Sequence, residues 1–165
     1  TEDGYFRTGD AGYINPEGAL VLTERVKDLF KTSNGKYIAP QMLESRLAEN
    51  KFIDEVAVIG DRRKFVTALV VPNFSQLRAW ADKNGIPFED PKELCDNPKT
   101  VAFVLSQIDV LQKDLASYER IKRITLIPHH FSIMNGEVTN TMKVRRPVVA
   151  KRYAKEIESM YEDVP

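Results

Sequence analysis

Two nearly continuous apolar runs in the middle of the chain predict the centre of a β-sheet. They occupy residues 55–60 and 66–72, and the polar link between them is short enough for an antiparallel pair. Few polar positions interrupt either run, which is typical of strands covered on both faces. A third strand is predicted at residues 124–127, where Pro128 ends it.

Elsewhere apolar residues recur at intervals of three and four, which predicts helices. The predicted starts are Pro40, Ser75 as an N-cap, Asn97-Pro98 and about Pro147. The longest predicted helix has an apolar stripe formed by Val101, Val104, Leu105, Ile108, Leu111 and Leu115. The apolar stripe of the last predicted helix consists of Val149, Tyr153, Ile157 and Met160. Because helices and strands mix without strict alternation, we expect an α+β fold, a compact domain whose roughly three-stranded sheet is packed by several helices.

The first 26 residues predict a separate, small β-hairpin. Two β-rich segments flank Asn15-Pro16-Glu17-Gly18, where Pro stands second and Gly fourth in the turn. A charged stretch at 23–31 and a turn-prone stretch at 32–36 follow. We therefore place a joint between the hairpin and the remainder of the chain.

Composition narrows the class of protein. The 165 residues suffice for one domain, and Lys+Arg and Asp+Glu each total 24, so no global charge favours nucleic acid or a membrane surface. The single cysteine, Cys95, excludes an internal disulfide and a multi-cysteine metal site. With no long apolar run and no recognisable targeting segment, we expect a cytoplasmic protein whose membrane association, if any, is peripheral. The missing initiator Met suggests a fragment of a longer protein.

Three polar stretches carry candidate chemistry. In residues 5–10, Gly9-Asp10 can present a carboxylate to adjacent ribose hydroxyls, although such a pair alone is more often structural. In residues 24–40, Asn34 and Gly35 tolerate left-handed backbone, so that N–H groups can approach an anion. The cations around that loop are Arg25, Lys27, Lys31 and Lys36. Taken alone, this stretch is more typical of a solvated charged loop.

The third stretch, residues 135–146, contains Lys143 between Met142 and Val144. A lysine acts as a point charge that can stabilise negative charge spread over phosphoryl oxygens. Considered by itself, the stretch is more typical of a basic cluster at a helix entry.

In this order the three stretches resemble the adenylate-forming, AMP-binding superfamily of acyl-CoA synthetases, luciferases and nonribosomal adenylation domains. Residues 5–10 resemble its Tyr-x-Arg-Thr-Gly-Asp motif, residues 25–31 its hinge motif, and residues 139–143 its catalytic-lysine motif. Residues 31–40, the stretch 75–118 and the C-terminal residues are similar to the long-chain fatty acyl-CoA synthetase branch.

The resemblance implies an AMP-forming fatty acid–CoA ligase. A fatty acid and ATP give an acyl-adenylate and pyrophosphate, and CoA then releases acyl-CoA and AMP. ATP and CoA are substrates; Mg²⁺ is expected for the full enzyme, but with ligands outside this chain. Asp10 and Arg25 are expected at the nucleotide ribose. Lys143 is expected to be catalytic and to contact the α-phosphate and the substrate carboxylate.

The resemblance also divides the chain at a hinge, Lys27. Residues 1–26 are expected to be the tail end of a large N-terminal adenylating domain, and residues 27–165 a mobile C-terminal domain. Its rotation is expected to exchange Lys143 for a CoA-facing loop that contains Lys31, Ser33, Asn34, Gly35 and Lys36. Asn34 replaces the first of two glycines of many relatives, and we expect the loop to keep its shape. The partners implied are the N-terminal domain, fatty acid, ATP and CoA.

Two alternatives stay open. An adenylate-forming enzyme with another acid or acceptor would carry the same motifs, because acid specificity lies in the N-terminal domain. A stand-alone module that binds a phosphate ligand could use the basic loop alone. His129-His130 lack partners at metal-ligand spacing and predict a loop, and Cys95 lacks an assigned base.

Overall fold

The computed structural model describes residues 4–162, without the side chains of Ala11, Thr23, Glu24, Arg25 and Lys27. The strands are β1 (Asp10–Ile14), β2 (Leu20–Arg25), β3 (Phe30–Lys31), β4 (Tyr37–Ile38), β5 (Ile53–Ile59), β6 (Val66–Pro72) and β7 (Ile121–Leu126). The α-helices are α1 (Pro40–Leu47), α2 (Phe74–Lys83), α3 (Pro91–Asp96), α4 (Pro98–Leu111), α5 (Arg146–Arg152) and α6 (Ala154–Ser159). A 3₁₀ turn at Val26–Asp28 lies between β2 and β3.

The central sheet has the order β5-β6-β7, so β6 lies in the middle. β5 and β6 are antiparallel, as predicted from the two apolar runs, and β6 and β7 are parallel. Every residue of β6 is buried, which confirms the prediction of a strand covered on both faces. The predicted α+β class with a three-stranded sheet is therefore confirmed.

The sheet separates two hydrophobic cores. Alternate residues of β6 point to opposite faces, so Val66, Ala68 and Val70 belong to one core and Leu69 and Val71 to the other. The first core is closed by apolar residues of α1, α2, α3 and α4. The second is closed by α5, α6 and the segment after β7. Helices on both faces explain why the strands read as continuous apolar runs.

Two predicted helix starts are confirmed, and one predicted N-cap is wrong. α1 begins at Pro40 and α4 at Pro98, as predicted. The predicted cap of α2 at Ser75 is wrong, because Asn73 occupies the N-cap and its side chain accepts a hydrogen bond from Gln76 N at 3.0 Å. Asn73 follows β6 directly, so the helix starts as soon as the strand ends.

The C-terminal segment forms two short helices where one was predicted. α5 ends at Arg152 and α6 begins at Ala154, with Tyr153 as the break between them. The predicted apolar stripe is nevertheless buried. α3 was not predicted, although Asp90 caps it by accepting a hydrogen bond from Glu93 N at 2.8 Å and Pro91 begins it.

The predicted N-terminal hairpin is confirmed. β1 and β2 pair antiparallel around a turn in which Gly18 N–H donates to Asn15 O at 2.9 Å. Large apolar side chains of this hairpin are exposed, namely Tyr13, Ile14, Leu20 and Leu22. Among the described residues, no helix is long and apolar enough to cross a bilayer.

Candidate functional site

Lys143 lies at the end of a tight hairpin loop. Thr139 N–H donates to Lys143 O at 2.9 Å, and Lys143 N–H donates to the Thr139 hydroxyl at 3.1 Å. A β-bridge between Val138 and Val144 closes the loop below these bonds. The threonine four positions before the lysine therefore fixes the backbone of Lys143, while the exposed ammonium side chain remains accessible to a ligand.

The Lys143 loop contains a methionine in left-handed backbone. Met142 N–H donates to Thr139 O, and Met142 has a φ of 60°. The loops closed by Asn15 and Thr32 have the same hydrogen-bond pattern, but there the left-handed residues are Gly18 and Gly35. A residue with a Cβ is strained in this region by about 1–2 kcal/mol. The backbone conformation at position 142, next to the lysine, is thus one that a glycine would adopt more easily than Met142 does.

Met142→Gly is therefore expected to stabilise the chain. Glycine removes the strain, but it also gains freedom in the unfolded state, so we expect the free energy of unfolding to rise by about 0.5–1 kcal/mol. Urea denaturation of wild type and variant measures this difference. Gly18→Ala, which places a Cβ in the equivalent position of another loop, should lower the stability by a similar amount. A destabilised Met142→Gly variant would contradict the strain interpretation.

A cleft of ≈ 420 Å³ lies beside Lys143 and Met142. Arg146 closes one side by pairing with both carboxylate oxygens of Glu44 at 2.6 Å. Glu44 also accepts a hydrogen bond from Val58 N at 2.9 Å, so the ion pair joins α1, β5 and the start of α5. Asp54 and Glu55, at the Ile53 end of β5, also line the cleft. The cleft thus brings residues of the Lys143 loop together with residues of α1 and β5.

The 32–37 loop connects β3 to β4 and is held at both ends. Thr32 N–H donates to Lys36 O at 2.9 Å, and Ser33 N–H donates to Arg63 O at 2.9 Å. The left-handed backbone belongs to Gly35 (φ 78°). Asn34, which was predicted to tolerate this conformation, instead donates from Nδ2 to Lys64 O at 3.3 Å. The loop is therefore anchored to the β5–β6 turn.

A basic concavity of ≈ 240 Å³ lies next to this loop, and the sequence did not point to it. The Lys36 ammonium lies 5.3 Å from the centroid of the Tyr118 ring. Lys64 and Lys122 line the same concavity together with Thr32 and Asn34. The three lysines are far apart in sequence, so only the fold reveals that they are neighbours. Three neighbouring ammonium groups favour the binding of an anionic ligand group. The ring of Tyr118 offers a face on which a planar ligand group can stack.

The N-terminal hairpin brings two predicted ribose ligands opposite each other. Asp10 and Arg25 are Cα partners in the β1–β2 register, and Asp10 N–H donates to the Thr8 hydroxyl at 3.2 Å. The side chains of Arg25 and of Lys27, the predicted hinge, lie outside the described residues. Lys27 falls in the 3₁₀ turn, and the next residue, Asp28, accepts a hydrogen bond from Gln41 of α1 at 2.8 Å. The polypeptide is thus tied to α1 immediately after Lys27.

Lys143 and the 32–37 loop are not brought together. The cleft beside Lys143 is lined by the first residues of β5, whereas Ser33 and Asn34 bond to the turn that follows β5. The cleft beside Lys143 and the basic concavity beside the 32–37 loop share no lining residue. The chain therefore offers two separate candidate sites.

The other reactive side chains that the structure describes do not form a further site. Within residues 4–162 no group of three or more His, Cys, Asp or Glu could hold a metal ion. His129 bonds to the Tyr153 hydroxyl at 3.1 Å, and His130 lies 3.3 Å from Glu55. Burial raises the pKa of the Cys95 thiol to about 12, so this cysteine is not a nucleophile at neutral pH.

Comparison with known families decides the class of this domain. The sequence profile of the AMP-binding enzyme C-terminal domain matches residues 27–165. The chain belongs to the AMP-binding enzyme C-terminal domain family. The match begins at Lys27 and includes both Lys143 and the 32–37 loop.

Similar proteins of this family are long-chain acyl-CoA synthetases. The chain is 36% identical to the peroxisomal long chain acyl-CoA synthetase 6 of Arabidopsis thaliana, covering 99% of this chain and 24% of that protein. It is 37% identical to the human long-chain-fatty-acid–CoA ligase 1, with the same coverage of 99% and 24%. The chain thus spans about a quarter of the length of these relatives.

The fold is shared with a solved structure of the adenylation domain of a carboxylate reductase from Mycobacterium chelonae. The TM-score is 0.77 at 24% identity, and the match covers 99% of this chain and 24% of the solved one. This likeness shows that the chain shares its fold with the matched part of that structure.

Proposed function

We propose that this chain is the C-terminal portion of an AMP-forming long-chain fatty acid–CoA ligase. The full reaction converts fatty acid, ATP and CoA into acyl-CoA, AMP and pyrophosphate through an acyl-adenylate. The observation that carries this proposal is the pair of ordered loops at opposite ends of β5. One presents Lys143 and the other, 32–37, adjoins a basic concavity. A two-step reaction can use each in turn.

Lys143 supplies positive charge for the first step. When a carboxylate attacks the α-phosphorus, negative charge accumulates on phosphoryl oxygens, and catalysis depends on positioning and electrostatic stabilisation. An ammonium on a preorganised loop can neutralise this charge without first reorganising its own backbone. The bonds between Thr139 and Lys143 support this role, because they fix the lysine backbone before substrate arrives.

Asp10 and Arg25 would hold the ribose of the nucleotide, and the chain would turn about Lys27. The exposed apolar side chains of β1 and β2 support the assignment of residues 1–26 to a larger domain, which would cover them. The bond from Gln41 to Asp28 supports a boundary at Lys27, because it fixes the chain just after this residue. A rotation needs only a few residues that absorb large backbone changes.

CoA would approach the 32–37 loop in the second step. The backbone of Lys31, Ser33, Asn34, Gly35 and Lys36 would line the path of the slender pantetheine arm. The ammonium groups of Lys36, Lys64 and Lys122 would meet the phosphates of the CoA nucleotide. Mg²⁺ would be held by residues outside this chain.

Activity of the full-length protein tests this function. With ATP and CoA, we expect acyl-CoA and AMP to form from fatty acids in a panel of different chain lengths, with long-chain acids giving the highest kcat/KM. The main competing assignment is an adenylate-forming enzyme with another acid or acceptor. It would be favoured if short or aromatic acids reacted faster, or if adenylate formed and CoA were not acylated.

The 165 residues alone are expected to be inactive. They lack the bulk of the adenylating domain under this proposal, so no acyl-CoA should form above the background without enzyme. Product detection by mass spectrometry after extended incubation provides the measurement. Acyl-CoA formation by the isolated chain would show that the assignment of the adenylating machinery to another domain is wrong.

A further inference from the structure

A completely buried carboxylate lies at the base of the Lys143 hairpin. The Glu137 side chain is 0% exposed, and its oxygens accept hydrogen bonds from Ser132 N at 2.8 Å and from the Tyr153 hydroxyl at 2.7 Å. Arg152 Nε lies 3.1 Å from the same Oε1. The carboxylate therefore joins the segment after β7 to the junction of α5 and α6.

The backbone of Glu137 extends the same network to the hairpin. Its N–H donates to Ser132 O at 3.0 Å, and its carbonyl accepts from Arg145 N at 2.8 Å. Above this pair come the Val138–Val144 bridge and then the bonds between Thr139 and Lys143. Glu137 thus fixes the root of the hairpin whose tip carries the lysine.

The Glu137 carboxylate stays charged at neutral pH. Burial acts to raise the pKa of Glu137, but the Ser132 N–H, the Tyr153 hydroxyl and Arg152 outweigh it and hold the pKa below its ordinary value. Burial, followed by the Glu137 carboxylate, raises the pKa of Tyr153, so this hydroxyl stays protonated and donates. A buried charge with these partners tolerates few other arrangements, because each broken contact leaves an unpaired polar group.

We propose that Glu137 is a positioning residue for Lys143, which sets the direction in which the lysine hairpin leaves the domain. The inference rests on the proposed role of Lys143 in adenylate formation. Its physical reason is that positioning errors of about 1 Å can cost two orders of magnitude in rate. The contribution of Glu137 is expected in the first half-reaction alone, since the 32–37 loop is anchored to the other end of β5.

Half-reactions of the full-length protein test this inference. In Glu137→Leu, we expect ATP–pyrophosphate exchange to fall by about 10- to 100-fold, while acyl transfer to CoA from a preformed acyl-adenylate changes less than about threefold. Glu137→Gln, which keeps the shape and an acceptor for Ser132 N–H, should recover part of the exchange rate. Tyr153→Phe removes a single donor and should give a smaller loss in the same half-reaction.

Leu77→Ala is the control for loss of stability alone. Leu77 is fully buried in the core on the opposite face of the sheet, so this variant destabilises the domain without touching the hairpin. Its two half-reactions should keep their wild-type ratio. If Glu137→Leu and Leu77→Ala lowered both half-reactions equally at matched melting temperatures, Glu137 would only stabilise the fold and the inference would be wrong.

Lys143→Ala separates this inference from the function on which it rests. If Lys143→Ala abolishes exchange but the Glu137 variants leave the ratio of half-reactions unchanged, the positioning role alone is refuted. If Lys143→Ala leaves exchange intact, the proposed function of the lysine itself fails.

Discussion

Replacing Lys143 with alanine in the full-length protein is expected to slow acyl-adenylate formation by about 10²–10³-fold. Losing one preorganised charge or donor at a developing oxyanion typically costs a factor of this size. The loop itself should survive, because its bonds come from the backbone and from Thr139. ATP–pyrophosphate exchange under saturating acid measures the effect.

The acyl-transfer step provides the internal control for Lys143→Ala. Given preformed acyl-adenylate and CoA, the variant should form acyl-CoA within about threefold of the wild-type rate, since the ammonium supports a different step. Lys151→Ala, which removes an exposed cation of α5, should leave both rates unchanged. Unchanged exchange in Lys143→Ala, combined with lost binding of a phosphate ligand, would favour the stand-alone binding module.

Gly35→Ala should affect the other half-reaction. A Cβ there would lie 3.6 Å from Lys31 Cε, an ordinary contact, so the cost is backbone strain at φ 78°. Strain of about 1–2 kcal/mol favours another loop conformation, and every 1.4 kcal/mol changes a rate or equilibrium by tenfold. We expect acyl transfer to CoA to fall by about tenfold or more and pyrophosphate exchange to stay near the wild-type rate.

Gly18→Ala is a matched control for this substitution. Gly18 has a φ of 80° in a loop with the same hydrogen-bond pattern, but it lies in the N-terminal hairpin. The control should show similar strain without a selective loss of acyl transfer. A Gly35→Ala variant that lost both half-reactions equally would contradict the assignment of the 32–37 loop to CoA.

The sequence predicted most of the fold because the strongest signals are local. Continuous apolar runs gave the β5–β6 pair, and Pro40 and Asn97-Pro98 marked helix starts. The wrong cap at Ser75 arose because two capping residues stand close together and only the end of β6 decides between them. The break at Tyr153 was not visible, since its ring continues the apolar stripe across the break.

Of the candidate sites, the sequence predicted only the residues that lie within recognisable motifs. Lys143 and the 32–37 loop came from the resemblance, but the sequence could not show that Met142 is left-handed, because only the closed loop imposes that conformation. Glu137 was overlooked for a different reason. A glutamate between glycine and valine is typical of an exposed turn, and its partners Ser132, Arg152 and Tyr153 come from both sides of it in sequence.

The parallel pairing of β6 with β7 has a consequence for how the domain forms during synthesis. β5 and β6 follow each other closely and can pair as soon as both leave the ribosome. β7 must wait for residues 73–120, which form α2, α3 and α4. Long-range pairing of this kind is slow because the connecting chain must be ordered first. We therefore expect the nascent domain to pass through a two-stranded stage with an open edge on β6, where chaperone binding would protect it from association.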